Sequence, residues 1–147
     1  MIKLRHKILL SSLLMVFCLH SYANTPSTKT LAHIKMNINQ QPIIIALFDN
    51  SASRQLLNQL PLSLALSDFA RTEKIAYLPN KLILQETPLA KTTQSDFTYY
   101  ASWGNLALLY KGYGQANGVY ALGTIVSGKE QLAALKQNIT VTLERMD

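Results

Sequence analysis

Tyr99-Tyr100-Ala101-Ser102-Trp103-Gly104-Asn105-Leu106-Ala107 is the stretch on which the fold turns. It holds the single Trp of the chain, two of its seven Tyr, and a Gly-Asn pair set against an apolar run. Phe97 to Tyr100 and Leu106 to Tyr110 read as two strands, or one bent strand, with Gly104 marking the bend or bulge. Large amphipathic rings beside a permissive backbone point make either a core corner or a binding floor.

Beyond this stretch, Lys111 to Gly118 holds three glycines and predicts a loop. Val119 to Val126 predicts a strand interrupted by Gly123. Ser127-Gly128-Lys129-Glu130 has the spacing of a capping box, opening a short helix with Leu132 and Leu135 on one face and its end near Asn138. Ile139, Val141 and Leu143 alternate as a closing strand.

Toward the N-terminus, Pro88 to Asp96 is a polar connection, and Leu82 with Leu84 predicts a short strand. Phe69 to Pro79 is charged and reads as loop. Leu62, Leu64 and Leu66 alternate with small residues as a strand. Asp49-Asn50-Ser51 offers N-cap side chains to a helix over Ala52 to Leu60, which Pro61 stops because it lacks an N–H. Ile34, Met36 and Ile38 alternate with polar residues, and Ile43 to Phe48 is a continuous apolar run fit for a strand covered on both faces. With the turn Asn39 to Pro42 they form an opening hairpin.

Seven or eight short strands and two short helices follow. The strands stand too close together for repeated parallel crossovers, which take a dozen or more residues each. The predicted fold class is mainly β: a closed or nearly closed antiparallel barrel capped by the two helices.

Residues 1–23 read as an export signal. Lys3, Arg5 and Lys7 form a positive start, Ile8 to Leu19 an apolar core too short to span a bilayer, and Ser21-Tyr22-Ala23 a small-x-small cleavage site. Phe17 before Cys18 does not fit a lipoprotein signal. Residues 24–32 read as a flexible leader and residues 33–147 as one domain. Cleavage after Ala23 leaves 124 residues, enough to bury a core without staples. The expected location is periplasmic or secreted, with no membrane association once the signal is gone.

Export also removes Cys18, His6 and His20. Thiol catalysis and thiolate zinc sites are then excluded. His33, beside the start of the first strand, is the one histidine left and reads as a surface residue, so no metal site is expected. Without Lys3, Arg5 and Lys7, 11 of the 14 basic residues stand against 8 acidic ones, scattered singly. No basic stripe interleaved with aromatics occurs, which argues against nucleic acid as partner. Gly112-Tyr113-Gly114 with Gly118 does not have dinucleotide-loop spacing and leads into a strand. No phosphate loop for a flavin is present either, so no cofactor is expected. Asp68, Arg71, Glu73 and Lys74 crowd one connection. They allow paired carboxylates in principle, but read as a solvated ion network.

The remaining signal is aromatic. Trp103 beside Gly104, with Asn105 adding a donor and an acceptor, predicts a ligand-binding floor together with Tyr100. Tyr113 on the glycine loop is its expected lip.

Several blocks in order carry a resemblance to the cyclophilin-like family, in particular its small bacterial branch, over about residues 33–147. Ile34 to Phe48, Asp49-Asn50 and the helix with Leu56 and Leu57 resemble the opening hairpin and first helix of cyclophilins. Leu60-Pro61-Leu62, Asp68-Phe69, Glu73-Lys74 and Leu78-Pro79 resemble the pattern of the branch. Tyr99 to Ala107 is similar to its central signature, in which Pro is usual at the position of Ser102. Leu122-Gly123-Thr124-Ile125 with Ser127-Gly128 is similar to the segment leading into the last helix. The resemblance implies a closed eight-stranded barrel with helices at its ends.

True cyclophilins accelerate X-Pro isomerisation with an Arg from a Phe-His-Arg motif on the strand after the first helix. The corresponding stretch here, Leu62 to Asp68, has no such motif, and neither Arg54 nor Arg71 matches it residue by residue. The branch itself is of undetermined function. The expectation is therefore a barrel binding a peptide or small-molecule ligand through Tyr100, Trp103, Asn105 and Tyr113, without efficient isomerase chemistry. Two alternatives stand beside it. One is a divergent prolyl isomerase with Arg71 in place of the missing Arg. The other is an interaction scaffold docking a protein at a sheet edge or at Pro88 to Asp96. Nothing in the sequence sets an oligomeric state.

Overall fold

The structure, a computed structural model, describes residues 28–147; the stretch read as an export signal and most of the one read as a leader lie outside the described residues. Eight strands and two helices follow in the order β1 (Thr30–Ile38), β2 (Gln41–Phe48), α1 (Ser51–Gln59), β3 (Leu62–Phe69), β4 (Glu73–Tyr77), β5 (Asp96–Tyr100), β6 (Asn105–Leu109), β7 (Val119–Ser127), α2 (Lys129–Ala134) and β8 (Ile139–Arg145). They close into an antiparallel barrel ordered β1-β2-β7-β5-β6-β4-β3-β8. Among the described residues, closure leaves no free sheet edge of the kind the scaffold alternative invoked. β1 starts at Thr30, so the last residues read as leader belong to the barrel.

Alternation along each strand sorts side chains into an inner and an outer face. Ile34, Met36, Ile43, Ile45, Leu64, Leu66, Phe97, Tyr99, Leu106, Leu108, Val141 and Leu143 fill the interior as part of one buried cluster. Burying each such side chain contributes about 1.5–3 kcal/mol relative to leaving it in water. The barrel thus rests on packing. β7 must also approach β2 closely at Gly123, where an added Cβ would stand 2.2 Å from the Ala46 carbonyl oxygen. α1 starts as its sequence directs: the Asn50 side chain accepts from the Ser53 N–H at 2.9 Å.

Four segments differ from their sequence reading, each for a physical reason. The charged stretch after Phe69 contains β4, because Glu73 and Lys74 both find partners while buried. Leu82 and Leu84 form no strand. Leu82 is buried, but its N–H donates to the Tyr99 hydroxyl, and the Ile83 N–H donates to Gln55 Oε1. Side chains thus satisfy backbone groups that a neighbouring strand would otherwise take. The capping box does not form, since Ser127 stays in the ladder opposite Ile44 and Gly128, in left-handed backbone, caps α2 with no side-chain bond. Pro88 to Asp96 is not a free connection either: the Ala90 N–H donates to Val119 O and the Ala121 N–H to Pro88 O.

Candidate functional site

On β6, Leu106 and Leu108 point into the barrel, so Asn105, Ala107 and Leu109 point out. On β5 the inward Phe97 and Tyr99 leave Tyr100 outside. On β4 the inward Ala76 places Glu73, Ile75 and Tyr77 outside, and Lys74 inside. On β3 the inward Leu64 and Leu66 put Asp68 inside and Phe69 outside. These strands are neighbours in the barrel, so outward residues from each share one patch.

Over that patch lies a cavity of about 500 Å³ lined by Phe69, Ala70, Thr72, Glu73, Tyr100, Trp103, Asn105, Ala107, Tyr113, Ala116, Asn117 and Val119. Its volume falls in the range of small-ligand sites, about 300–1,000 Å³. All four residues singled out in the sequence line it. Glu73 and Phe69 line it too; sequence reasoning weighed Glu73 only as a partner of Asp68 and placed neither residue at this site. The alternation of Glu73, Ile75 and Tyr77 was the available signal, hidden by the charges around it. Glu73 stands opposite Leu109 and Asn105 opposite Tyr77. The two ends of the floor are therefore four strand residues apart, about 13 Å.

The aromatic end is built on a turn. Gly104, with φ 71°, donates its N–H to Tyr100 O at 2.9 Å, and this hinge projects Trp103 out over β6. Trp103 remains 47% exposed. It meets the rings of Tyr100 and Phe69 edge-to-face, each at 5.3 Å between centroids. Asn105 is 1% exposed; its amide donates to Leu106 O, and its Oδ1 is buried with no hydrogen-bond partner among the described residues.

The polar end is built from the glycine loop. Tyr113 reaches down from it, and its hydroxyl donates to Glu73 Oε2 at 3.1 Å. The loop is tied in place by the Tyr113 N–H to Thr92 O and by Thr92 Oγ1 to Gly114 O. Glu73 is 8% exposed. Burial pushes its carboxyl up from the usual glutamate value, and the Tyr113 hydrogen bond only partly offsets this. Burial and the nearby Glu73 and Asp96 carboxylates push the Tyr113 phenol well above its ordinary range, so it stays a donor. Among the described residues, no Lys or Arg nitrogen lies within 4 Å of Glu73.

Asp68 and Glu73 face opposite sides of the sheet wall, so they are not paired carboxylates. Nor is the charged group a solvated network. Lys74 is 3% exposed, and its Nζ donates to Asp68 Oδ1 and to Leu135 O, both at 2.7 Å. Tyr110 donates to the same Asp68 oxygen at 2.6 Å. Burial raises the Asp68 carboxyl, but the bonds from Lys74 and Tyr110 and the Lys74 charge bring it below its usual value. Burial and the Asp68 carboxylate push the Tyr110 phenol up to about 12. Arg71 joins only through its backbone N–H, which donates to Asp68 Oδ2 at 3.1 Å. Ala70 and Arg71, with φ of 52° and 59°, form a left-handed turn at the cavity rim. Non-glycine residues hold that conformation only under constraint. His33 is exposed, and no group of three His, Cys, Asp or Glu among the described residues could hold a metal ion.

No curated protein matches the chain. In solved structures it is similar to the solution structure of the hypothetical protein AF2241 from Archaeoglobus fulgidus. That match has a TM-score of 0.64 and 13% identity, over 80% of this chain and 98% of the other. At that identity the likeness concerns the fold. A sequence model of the cyclophilin-like family matches residues 36–144, from the last residues of β1 into the last strand. With that span and a closed eight-stranded barrel, this chain belongs to the cyclophilin-like family.

Proposed function

We propose that this is an exported, periplasmic or secreted, cyclophilin-like domain that binds a peptide or small ligand in the outer-face cavity. The observation carrying the reading is convergence: Tyr100, Trp103 and Asn105 from one turn, Tyr113 from the glycine loop and Glu73 from β4 line one cavity of about 500 Å³. An apolar wall with few convergent polar groups is the composition of ligand sites. The reading has no efficient isomerase step. None of the lining residues is Lys or Arg, and Arg71 is not among them.

Trp103→Ala tests the site. Saturable binding of a ligand from a tripeptide library is expected to disappear while cooperative unfolding persists. If that variant unfolds instead, Trp103 is a core residue and the site assignment fails. A proline-peptide isomerisation assay on the protein and on Arg71→Ala is expected to give the buffer rate for both; a rate that drops with Arg71 would replace this reading. Export is tested by the mass of the protein recovered from its host, expected to begin at Asn24.

A further inference from the structure

Glu73 is a buried carboxylate without a cationic partner. Its hydrogen bond comes from a neutral phenol, and no Lys or Arg nitrogen comes within 4 Å among the described residues. Buried charges in proteins are ordinarily paired, because leaving one unpaired is expensive. One residue along, Lys74 shows what this chain does with a buried charge of structural use: it surrounds it with Asp68, Tyr110 and a helix-end carbonyl. Glu73 instead opens on a cavity.

The rest of that cavity suits a positive group. Trp103, Tyr100 and Phe69 present aromatic rings, whose faces attract cations. Asn105 adds a buried carbonyl oxygen with no donor. The buried polar atoms on offer are acceptors, the Glu73 carboxylate and the Asn105 oxygen; the Tyr113 hydroxyl already donates to Glu73, the Thr72 hydroxyl donates to Phe69 O, and Asn117 lines the cavity from an exposed position. A ligand anion would find none of the lining residues cationic.

We propose that the cavity binds a primary ammonium group carried on an apolar stem, the head on Glu73 and the stem between the Trp103, Tyr100 and Phe69 rings. The inference rests on reading the cavity as a binding site, and it specifies the chemistry. A free alkylamine or a lysine side chain of a peptide would each supply that head and stem. The spacing of about 13 Å between the Glu73 and Asn105 ends leaves room for a stem longer than lysine's own.

Trp103 is the only Trp of the chain and lines the site, so its fluorescence reports occupancy directly. The full exported protein would be titrated with n-hexylammonium and with n-hexanol, its neutral counterpart. In parallel it would meet acetyl-Gly-Lys-Gly-amide and the same peptide with norleucine. The amine of at least one pair is expected to bind about tenfold or more tightly than its neutral partner. A response to the peptide pair identifies a polypeptide lysine as the source, and a response to hexylammonium alone a free amine. Glu73→Gln is expected to abolish the preference, with its thermal unfolding curve as control for folding. Should that variant not fold, the amine-to-neutral ratio in the unsubstituted protein decides alone. Equal binding of amine and neutral probe, or a preference that survives Glu73→Gln, overturns the amine assignment and leaves the cavity a site for neutral ligands. No saturable response to any of the four probes up to about 10 mM overturns the amine assignment; binding from the tripeptide library then decides separately whether the cavity is a site.

Discussion

Glu73 and Lys74 are consecutive residues on one strand, both buried, both charged, and they have opposite fates. The pleat sends Lys74 inward toward Asp68, Tyr110 and the end of α2, where each of its charge-bearing contacts is satisfied. It sends Glu73 outward, under a loop, with a phenol as its hydrogen-bond donor. Burial alone therefore does not distinguish structure from site. The completeness of the partner set does: a satisfied ionic cluster joins elements, while an unfinished one implies something yet to arrive.

The largest way to break this contrast is to remove the inner lysine. Lys74→Met leaves Asp68 without its cation and Leu135 O without its donor. A loss of about 3 kcal/mol in unfolding free energy is expected, read from urea midpoints at constant slope. Adding Asp68→Asn to that variant is expected to recover a large part of the loss, because removing both partners costs less than stranding one. Glu73→Gln, next door, is expected to change stability by less than about 1 kcal/mol, since Gln still accepts from Tyr113 and no ion pair is broken. If Lys74→Met and Glu73→Gln cost the same, partner completeness is not what separates the two positions.

The same pair explains how much of this molecule was legible in its sequence. Strands with clean alternation, such as Ile34 to Ile38 and Ile139 to Leu143, were readable because their inward residues are apolar and their outward ones polar. β4 was not readable, because its inward face begins with a lysine and its outward face with a glutamate, inverting every local cue for burial. Leu82 misled in the opposite sense: it is apolar and buried, yet it enters the core from a loop held by the Tyr99 hydroxyl. The aromatic half of the site was visible, since one turn gathers Tyr100, Trp103 and Asn105 within six residues. Its acidic half was not, because Glu73 meets Tyr113 only through a contact 40 residues apart in the chain.

A smaller effect is expected at the turn that joins the two regions. Ala70 holds a left-handed backbone that suits glycine, and Thr72 after it donates its N–H to Phe69 O at 3.1 Å. Ala70→Gly is expected to raise stability by about 0.5 kcal/mol, the relief of strain being offset in part by a freer unfolded chain. A decrease would mean that Ala70 contributes packing at the cavity rim that outweighs its backbone strain.

The most delicate comparison is in pH. Asp68 has its carboxyl lowered, so it contributes stability above its unfolded value, 3.8, which is lost as pH falls through the still lower folded value. Glu73 has its carboxyl raised by burial, so the sign reverses. Below its unfolded value of 4.5 the protonated form is tolerated in full, and as pH rises from there through the raised folded value the folded state takes on an unpaired charge. Acidification from neutral pH should first add stability through Glu73 and then remove it through Asp68. Urea midpoints of the Glu73→Gln variant, followed down the same pH series, should lack the first rise and keep the later fall. Retention of the rise in that variant would assign it to another carboxylate and remove the unpaired charge from β4. An amine ligand should erase the rise as well, because a bound ammonium supplies the charge that Glu73 lacks and leaves the folded state no reason to prefer the proton.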